Sequence, residues 1–329
     1  MPLVDRYQRI HTNLRISVTD RCNIRCFYCM PDEAIRFLPQ RQILTFEEIT
    51  RLATVFARLG IDQIRLTGGE PLVRVELPSL VRLLVNIPGV RDLALTTNGI
   101  LLAEHAAELH SAGLHRLNIS LDALDPAVFE QIARRRGLDQ VLAGIEAAIS
   151  AGFKKIRLNA VSIRGLTESE VVPLARYARA RGLELRFIEY MPLDAEGNWD
   201  RGQVLCGADV RAMIECAVAP LWPAERSDPS QPAVDYVYAD GGGRVGFINP
   251  VTQAFCQDCN RLRVTAEGQL RNCLFSTTEW DAKALLRGGA SDDELAELIQ
   301  ECVLHKKPGH GIDTPDFVQP ARAMYQIGG

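Results

Sequence analysis

The sequence has no apolar run approaching the length of a membrane span, and its first residues, Met-Pro-Leu-Val-Asp-Arg-Tyr-Gln, form no apolar signal region. Both absences predict a cytoplasmic protein with no membrane partner. Net charge is small, −4 over 329 residues, which lacks the basic excess of a general nucleic-acid binder. Lysine is scarce. Nearly all the basic residues are arginine, so a single arginine carries little weight unless a motif supports it. Histidine is rare as well, six in all, and none lies near enough to the N-terminal cysteines to complete a local zinc site. There is no low-complexity segment and no repeat beyond a strand–helix unit. What remains is an ordinary globular composition, 47% hydrophobic and 24% charged, in a length that suits two domains or one large domain with an extension.

Cysteine is not scarce. Nine cysteines without a secretion signal point to a reducing compartment and to metal ligation, not disulfides. Cys22, Cys26 and Cys29 are spaced CxxxCxxC, with Tyr28 before the last. A lone CxxC pair is common in zinc and redox sites. Three thiolates can hold three irons of a cubane cluster and leave the fourth iron open for chemistry, whereas a cluster for electron storage is normally held by four. With an aromatic residue at position 28, the motif resembles that of the radical S-adenosylmethionine (SAM) superfamily, in which the open iron binds SAM.

From residue 14 to 190 the chain alternates short apolar runs with helical patterns. The predicted strands are Leu14–Thr19, Gln63–Thr67, Asp92–Thr96, Arg116–Ser120, Lys155–Val161 and Glu184–Tyr190. Helices are predicted around Phe46–Leu59, Val75–Asn86, Ala103–Ala112, Gln140–Ala151 and Glu168–Arg181. Thr45 with Glu48 forms a capping box, and Gly60, Gly113, Gly152 and Gly182 fall just past helix ends. Such alternation implies a parallel α/β sheet with its site at the carboxyl ends of the strands. Thr67-Gly68-Gly69-Glu70-Pro71, Thr96-Thr97-Asn98-Gly99, Ser120-Leu121-Asp122 and Glu189-Tyr190-Met191-Pro192 all lie at such ends. Spacing does not distinguish an open sheet from a closed one. The superfamily resemblance implies a partial six-stranded (β/α) barrel of the TIM type over residues 1–192.

Residues 193–329 read as an α+β extension. Strands are predicted at Val234–Tyr238, Arg244–Ile248, Arg261–Thr265 and Gln269–Asn272, and helices at Glu279–Leu286 and Asp292–Val303. Cys256, Cys259 and Cys273 form a second trio. A zinc ribbon needs a fourth ligand. Cys206, Cys216 and Cys302 are candidates by count but read as free buried thiols, and His305 and His310 are further candidates for the fourth ligand that otherwise read as part of a solvated tail. On a strand, Arg261 and Arg263 share one face and Leu262 takes the other.

Taken together, LRISVTDRCNIRCFYCMP, RLTGGEPL, LTTNG, NISLDAL, RFIEYMP and CQDCNRLRVTAEGQLRNCLF resemble the GTP 3′,8-cyclases, which open molybdenum-cofactor (molybdopterin) biosynthesis. The resemblance runs from about residue 9 to Gly328-Gly329, a terminal pair that in this family reaches into the active site. It implies two 4Fe–4S clusters, the first on Cys22, Cys26 and Cys29 and the second on Cys256, Cys259 and Cys273, each with one open iron. It implies SAM contacts at Tyr28, Gly69, Ser120 and Met191. GTP contacts are implied at Arg15, Arg65, Thr96, Arg157, Arg261, Leu262 and Arg263. Catalytic roles fall to the first trio, to Arg261 and Arg263, and to Gly328 and Gly329. Position 157 is usually lysine in the family and is arginine here, a change of geometry at constant charge. Gln63 replaces a lysine of some relatives and is left out of the site. The implied chemistry is hydrogen abstraction from C3′ of GTP by a 5′-deoxyadenosyl radical, attack of C3′ on C8, and reduction to the cyclic product. The implied partners are a flavodoxin- or ferredoxin-like electron donor and the next enzyme, cyclic pyranopterin monophosphate synthase. A monomer or homodimer is expected. Two other readings remain: a radical SAM peptide- or protein-modifying enzyme, which usually carries more cysteines in its extension, and a zinc scaffold, which would hold zinc without sulfide.

Overall fold

The computed structural model describes residues 2–30, 35–195, 197–226 and 228–328. A short ribbon, β1 (Leu3–Val4) and β2 (Ile10–His11), precedes the main sheet. Six strands then follow at the predicted places: β3 (Asn13–Ser17), β4 (Gln63–Thr67), β5 (Asp92–Thr97), β6 (Arg116–Ser120), β7 (Ile156–Ser162) and β8 (Glu184–Glu189). They pair in that order and all in parallel. The helices between them are α1 (Phe46–Arg58), α2 (Leu77–Val85), α3 (Leu102–Ser111), α4 (Pro126–Ala133), α5 (Leu138–Ser150) and α6 (Val171–Ala180). The capping box of α1 is present, Thr45 Oγ1 accepting from Glu48 N and Glu48 Oε2 from Thr45 N. Gly60, Gly113, Gly152 and Gly182 all have positive φ, as left-handed caps require. The sequence reading missed α4, although Asp125 caps it and Pro126 opens it.

The extension contributes α7 (Gly207–Ala217), β9 (Leu221–Pro223), β10 (Val234–Tyr238), β11 (Arg244–Ile248), β12 (Arg261–Val264), β13 (Gln269–Arg271), β14 (Trp280–Asp281), α8 (Ala282–Arg287), α9 (Asp292–Leu304) and α10 (Met324–Ile327). It does not form a separate sheet. β12 pairs in parallel with β3 at one edge of the six strands, and β11 pairs in parallel with β8 at the other. β9 and β10 extend one end and β13 and β14 the other, giving a single twelve-stranded sheet in the order β14-β13-β12-β3-β4-β5-β6-β7-β8-β11-β10-β9. Among the described residues, β9 and β14 are left as its edges, so the six-stranded core is an unclosed, partial barrel. One apolar core runs under the sheet, from Leu14 and Leu66 on the strands to Phe56, Leu80 and Val141 on the helices. Among the described residues no helix is long and apolar enough to cross a membrane.

Candidate active site

The first cysteine loop leaves β3 at Val18 and is fastened on two sides. Gly69 N donates to Thr19 O at 2.8 Å and Glu70 N to Arg21 O at 2.7 Å. On the other side Arg25 N donates to Ala133 O at 2.9 Å and Phe27 N to Ile132 O at 3.2 Å. The buried carboxylate of Glu70 accepts from Leu72 N at 3.0 Å, Thr97 Oγ1 at 2.7 Å and Asn98 N at 2.7 Å. Burial pushes that carboxyl up to about 7. Asn98 passes the link on, its amide nitrogen lying 2.7 Å from Asn23 Oδ1 and 3.7 Å from Cys22 Sγ. Tyr28 donates its hydroxyl to Asp122 Oδ2 at 2.6 Å, while Asp122 Oδ1 accepts from Val161 N at 2.8 Å. Glu70 and Asp122 therefore brace the strand-end loops. Asp122→Ala leaves two part-buried donors without an acceptor. It is expected to lower stability by about 1–3 kcal/mol for each, read by urea unfolding of the cluster-free chain.

Burial raises all three thiols of this loop, Cys22 to about 11. Thiols so placed become thiolates readily only against a cation, as metal ligands do. All nine cysteines are free, and the trio shares one short loop in which Cys29 N donates to Cys26 O at 3.0 Å. Among the described residues no three His, Cys, Asp or Glu side chains converge as ligands of one ion. A four-iron cluster spreads its thiolates over separate irons, and three thiolates on a closed loop fit that donor set.

The second trio is assembled by the β12–β13 hairpin. Cys256 and Cys259 form a tight turn just before β12, Cys259 N donating to Cys256 O at 3.2 Å, and Cys273 follows β13. Burial raises the Cys259 thiol, but the Arg261 guanidinium and the Lys306 ammonium outweigh it and hold it at about 5. Arg261 Nη2 lies 3.3 Å from its sulfur. Sequence patterns did not single out the residues that steady this turn. Buried Lys306 donates to Arg261 O and to Asn272 O, both at 2.7 Å. Buried Arg9, gripped by Asp5 at 2.6 Å, donates to Cys256 O at 2.7 Å and to Lys307 O at 2.7 Å. His310 is also not on a solvated tail. It packs on Phe275 with ring centroids 5.3 Å apart and lines the cavity beside Cys256, while His305 is exposed. Of the three spare cysteines only Cys302 is buried, whereas Cys216 is exposed and Cys206 intermediate. This corrects the reading of all three as buried thiols.

Between the second trio and the strands lies a cavity lined by Arg15, Arg65, Thr96, Arg157, Met191, Arg261 and Arg263, together with Cys256, Cys259 and Cys273. Strand register aligns its cations: Arg263 is opposite Arg15 across β12–β3, and Arg15 is opposite Arg65 across β3–β4. Like charges directly opposite each other on neighbouring strands are unfavourable. Burial, then the neighbouring guanidinium groups, push Arg15 and Arg65 well below the usual arginine range; burial and Arg261 bring Arg263 to about 9. Arg15 Nε, Arg65 Nε and Thr96 Oγ1 are buried without a hydrogen-bond partner. Arg157 lines the same cavity but is ion-paired with Glu184. Leu262 points the other way, into the apolar core. Arg186, Arg116, Asn118 and Asn159 also face the cavity and were missed. Their signal was present, since polar residues at i and i+2 interrupt strands that a sheet covered on both faces would make continuously apolar.

Tyr28, Gly69 and Ser120 are not among the residues that line this cavity: Tyr28 is on the first cysteine loop, Gly69 is bonded to its start at Thr19, and Ser120 ends β6, whereas Met191 does line it. The tail runs between the trios. Met324 N donates to Leu193 O at 3.0 Å, the backbone N–H of Tyr325 donates to Cys29, and Gly328 O accepts from Arg263. A Cβ on Gly328 would lie 2.6 Å from Thr67 Oγ1, so the tail is seated inside the strand array. Gly329 lies outside the described residues.

A parallel strand array with a three-cysteine loop at its carboxyl ends defines a radical SAM protein. Residues 16–178 match the family model of the radical SAM superfamily, and residues 183–312 match that of molybdenum cofactor synthesis C. The fold is also that of SuiB from Streptococcus suis, solved bound to S-adenosylmethionine: TM-score 0.62 at 16% identity over 89% of this chain and 69% of that one. Within the superfamily, the chain belongs to the GTP 3′,8-cyclase family. It is 53% identical to the GTP 3′,8-cyclase of Rhodopirellula baltica over 99% of this chain and 92% of that protein. To the one from Pelotomaculum thermopropionicum it is 46% identical, over 99% of each.

Proposed function

We infer that this chain converts GTP into (8S)-3′,8-cyclo-7,8-dihydroguanosine 5′-triphosphate, the opening step of molybdenum-cofactor biosynthesis. The observation that carries the reading is the row Arg263–Arg15–Arg65, three guanidinium groups in register along one cavity wall, of which Arg15 and Arg65 each keep a buried Nε donor unused. Such a row needs a polyanion, and guanidinium forks suit phosphate oxygens. Cys22, Cys26 and Cys29 would hold a 4Fe–4S cluster and Cys256, Cys259 and Cys273 a second. When bound, the first cluster with SAM supplies the radical that takes hydrogen from C3′ and so starts C3′–C8 bond formation.

The chain's own residues do the positioning. Gly69, Ser120, Met191 and the backbone of Tyr28 frame the SAM side. Arg15, Arg65 and Thr96 present their free donors to the triphosphate, and Arg157 adds a cation already half-neutralised by Glu184. Arg261 and Arg263 face the cavity from β12 and offset negative charge between nucleotide and second trio. Gly328 fixes the Arg263 guanidinium through its carbonyl. Met324 and Phe275 exclude water.

The flavodoxin- or ferredoxin-like donor, the onward cyclic pyranopterin monophosphate synthase, a monomeric or homodimeric state and a cytoplasmic location belong to the same proposal. So does a boundary at residues 192/193.

The test is anaerobic reconstitution followed by incubation with SAM, reductant and GTP. About eight irons per chain are expected, and GTP-dependent 5′-deoxyadenosine should form with the cyclic nucleotide. Absence of GTP-dependent 5′-deoxyadenosine above background would sink the assignment, and zinc without sulfide would restore the scaffold reading. Arg15→Ala is expected to raise the KM for GTP by about 10–100-fold, the loss of one charge-assisted hydrogen bond, with SAM affinity unchanged.

A further inference from the structure

One charged feature of the first cysteine loop is unused by this mechanism. Behind the loop, α4 ends at Ala133 and runs into three exposed arginines, Arg134, Arg135 and Arg136. The carbonyls of Ile132 and Ala133, just before this run, accept from Phe27 and Arg25 on either side of Cys26. The basic run is therefore fixed to the cysteine loop by backbone hydrogen bonds. Beside it a groove opens, lined by Phe27, Gln131, Arg134, Arg164, Leu166 and Gln203, with no carboxylate among its lining residues. The Phe27 ring lies edge-on to Tyr28 at 5.6 Å and to Tyr190 at 6.2 Å, so one aromatic layer separates the groove from the interior of the loop.

Nearby carboxylates offset part of this charge. Asp209 and Glu168 hold Arg164 at 2.7 and 3.8 Å, and Glu130 pairs with Arg136 at 3.3 Å. Arg135 donates only to a neutral group, the carbonyl of Arg134 at 2.7 Å, among its described contacts. The net result is a positive face on a chain whose overall charge is −4.

We propose that this groove and its arginine run dock an acidic one-electron carrier protein, placing its redox group against Phe27. One electron leaves the carrier and enters the cluster held by Cys22, Cys26 and Cys29; no atom and no proton moves. The inference rests on the cluster assignment above and adds where the electron enters. The other side of the loop is taken by Gly69 and by the tail, whose Tyr325 N–H reaches Cys29. Complementary charge is the device expected for such an encounter, since steering raises association rates about 10–1000-fold and weakens with salt.

The probe is an acidic flavodoxin, and the chain is used with its clusters reconstituted. Binding is followed by flavin fluorescence anisotropy, and cluster reduction by electron paramagnetic resonance. Affinity for the parent chain should fall steeply with added salt. Arg134→Glu with Arg135→Glu should weaken binding and slow flavodoxin-driven reduction by about 10-fold or more, with reduction by dithionite unchanged. Arg135→Glu alone, at a side chain that among the described residues bonds only to a neighbouring carbonyl, should show an intermediate loss and serves if the double variant fails to fold. Equal affinity and equal flavodoxin-driven rates in the charge-reversed chains overturn the proposal. So does an unchanged flavodoxin rate alongside lost binding of DNA or anionic vesicles. A chain that accepts flavodoxin electrons in the expected charge-dependent way but forms no cyclic nucleotide supports this docking surface and counts against the cyclase assignment.

Discussion

Gly69→Ala is expected to strip the first cluster and abolish SAM cleavage while leaving the second trio loaded. An alanine Cβ there would lie 2.3 Å from Arg21 O, 2.6 Å from Arg21 C and 2.9 Å from Asp20 O. All three are backbone atoms, so no flexible side chain can swing aside. The same loop carries the hydrogen bonds from Gly69 N to Thr19 O and from Glu70 N to Arg21 O, and relief of the clash breaks at least one. Arg21 adjoins Cys22, so the displacement passes straight to a ligand. Overpacking of this kind costs about 1–3 kcal/mol, too little to unfold a well-packed domain but enough to move a loop. Iron and sulfide analysis should fall from about eight to about four per chain, with native circular dichroism. Full iron loading with normal SAM cleavage would refute the argument. The result would also reassign the glycine, whose absent side chain makes room first for the cysteine loop and only then for SAM.

Deleting Gly328 and Gly329 should separate cluster assembly from GTP chemistry. Gly328 supplies no ligand, and its carbonyl accepts from Arg263, the guanidinium at one end of the cationic row. Loss of that acceptor frees Arg263 to turn toward other partners in the cavity. The Tyr325 contact to Cys29 and the Met324 contact to Leu193 remain. Both clusters should load normally and slow GTP-independent SAM cleavage should persist. GTP-dependent 5′-deoxyadenosine should drop by about 1000-fold or more, comparable to removing a transition-state donor. Gly328→Ala is the milder companion, since it meets both a φ of 84° and the hydroxyl of Thr67. Activity near the parent level in both variants would remove the tail from the mechanism.

The six strands and their order were legible because each βα unit announces itself locally: an apolar run, a polar strand end, a capped helix. Both cysteine trios were legible by spacing. The arginines at positions 15, 65 and 263 were legible by family likeness, but their alignment in one row was not. Register between β12 and β3 joins residues 261–264 to 13–16, and nothing local encodes it. For the same reason the extension read as a separate α+β unit although its strands border the core on both sides. Lys306, Arg9 and His310 were illegible because only tertiary packing buries the first two and sets the third against Phe275. A lysine near a chain's end looks solvated until its two carbonyl partners are seen.

The pairing of β12 with β3 also has a consequence for biosynthesis. β3 leaves the ribosome first among the core strands, and its partner emerges some 250 residues later. Until that partner emerges, one edge of the nascent array is an unpaired parallel strand, open to pairing with another chain. The edge strand β3 carries its own gatekeepers in Asn13 and Arg15. The same guanidinium that later lines the cavity thus discourages aggregation while the chain is still being made.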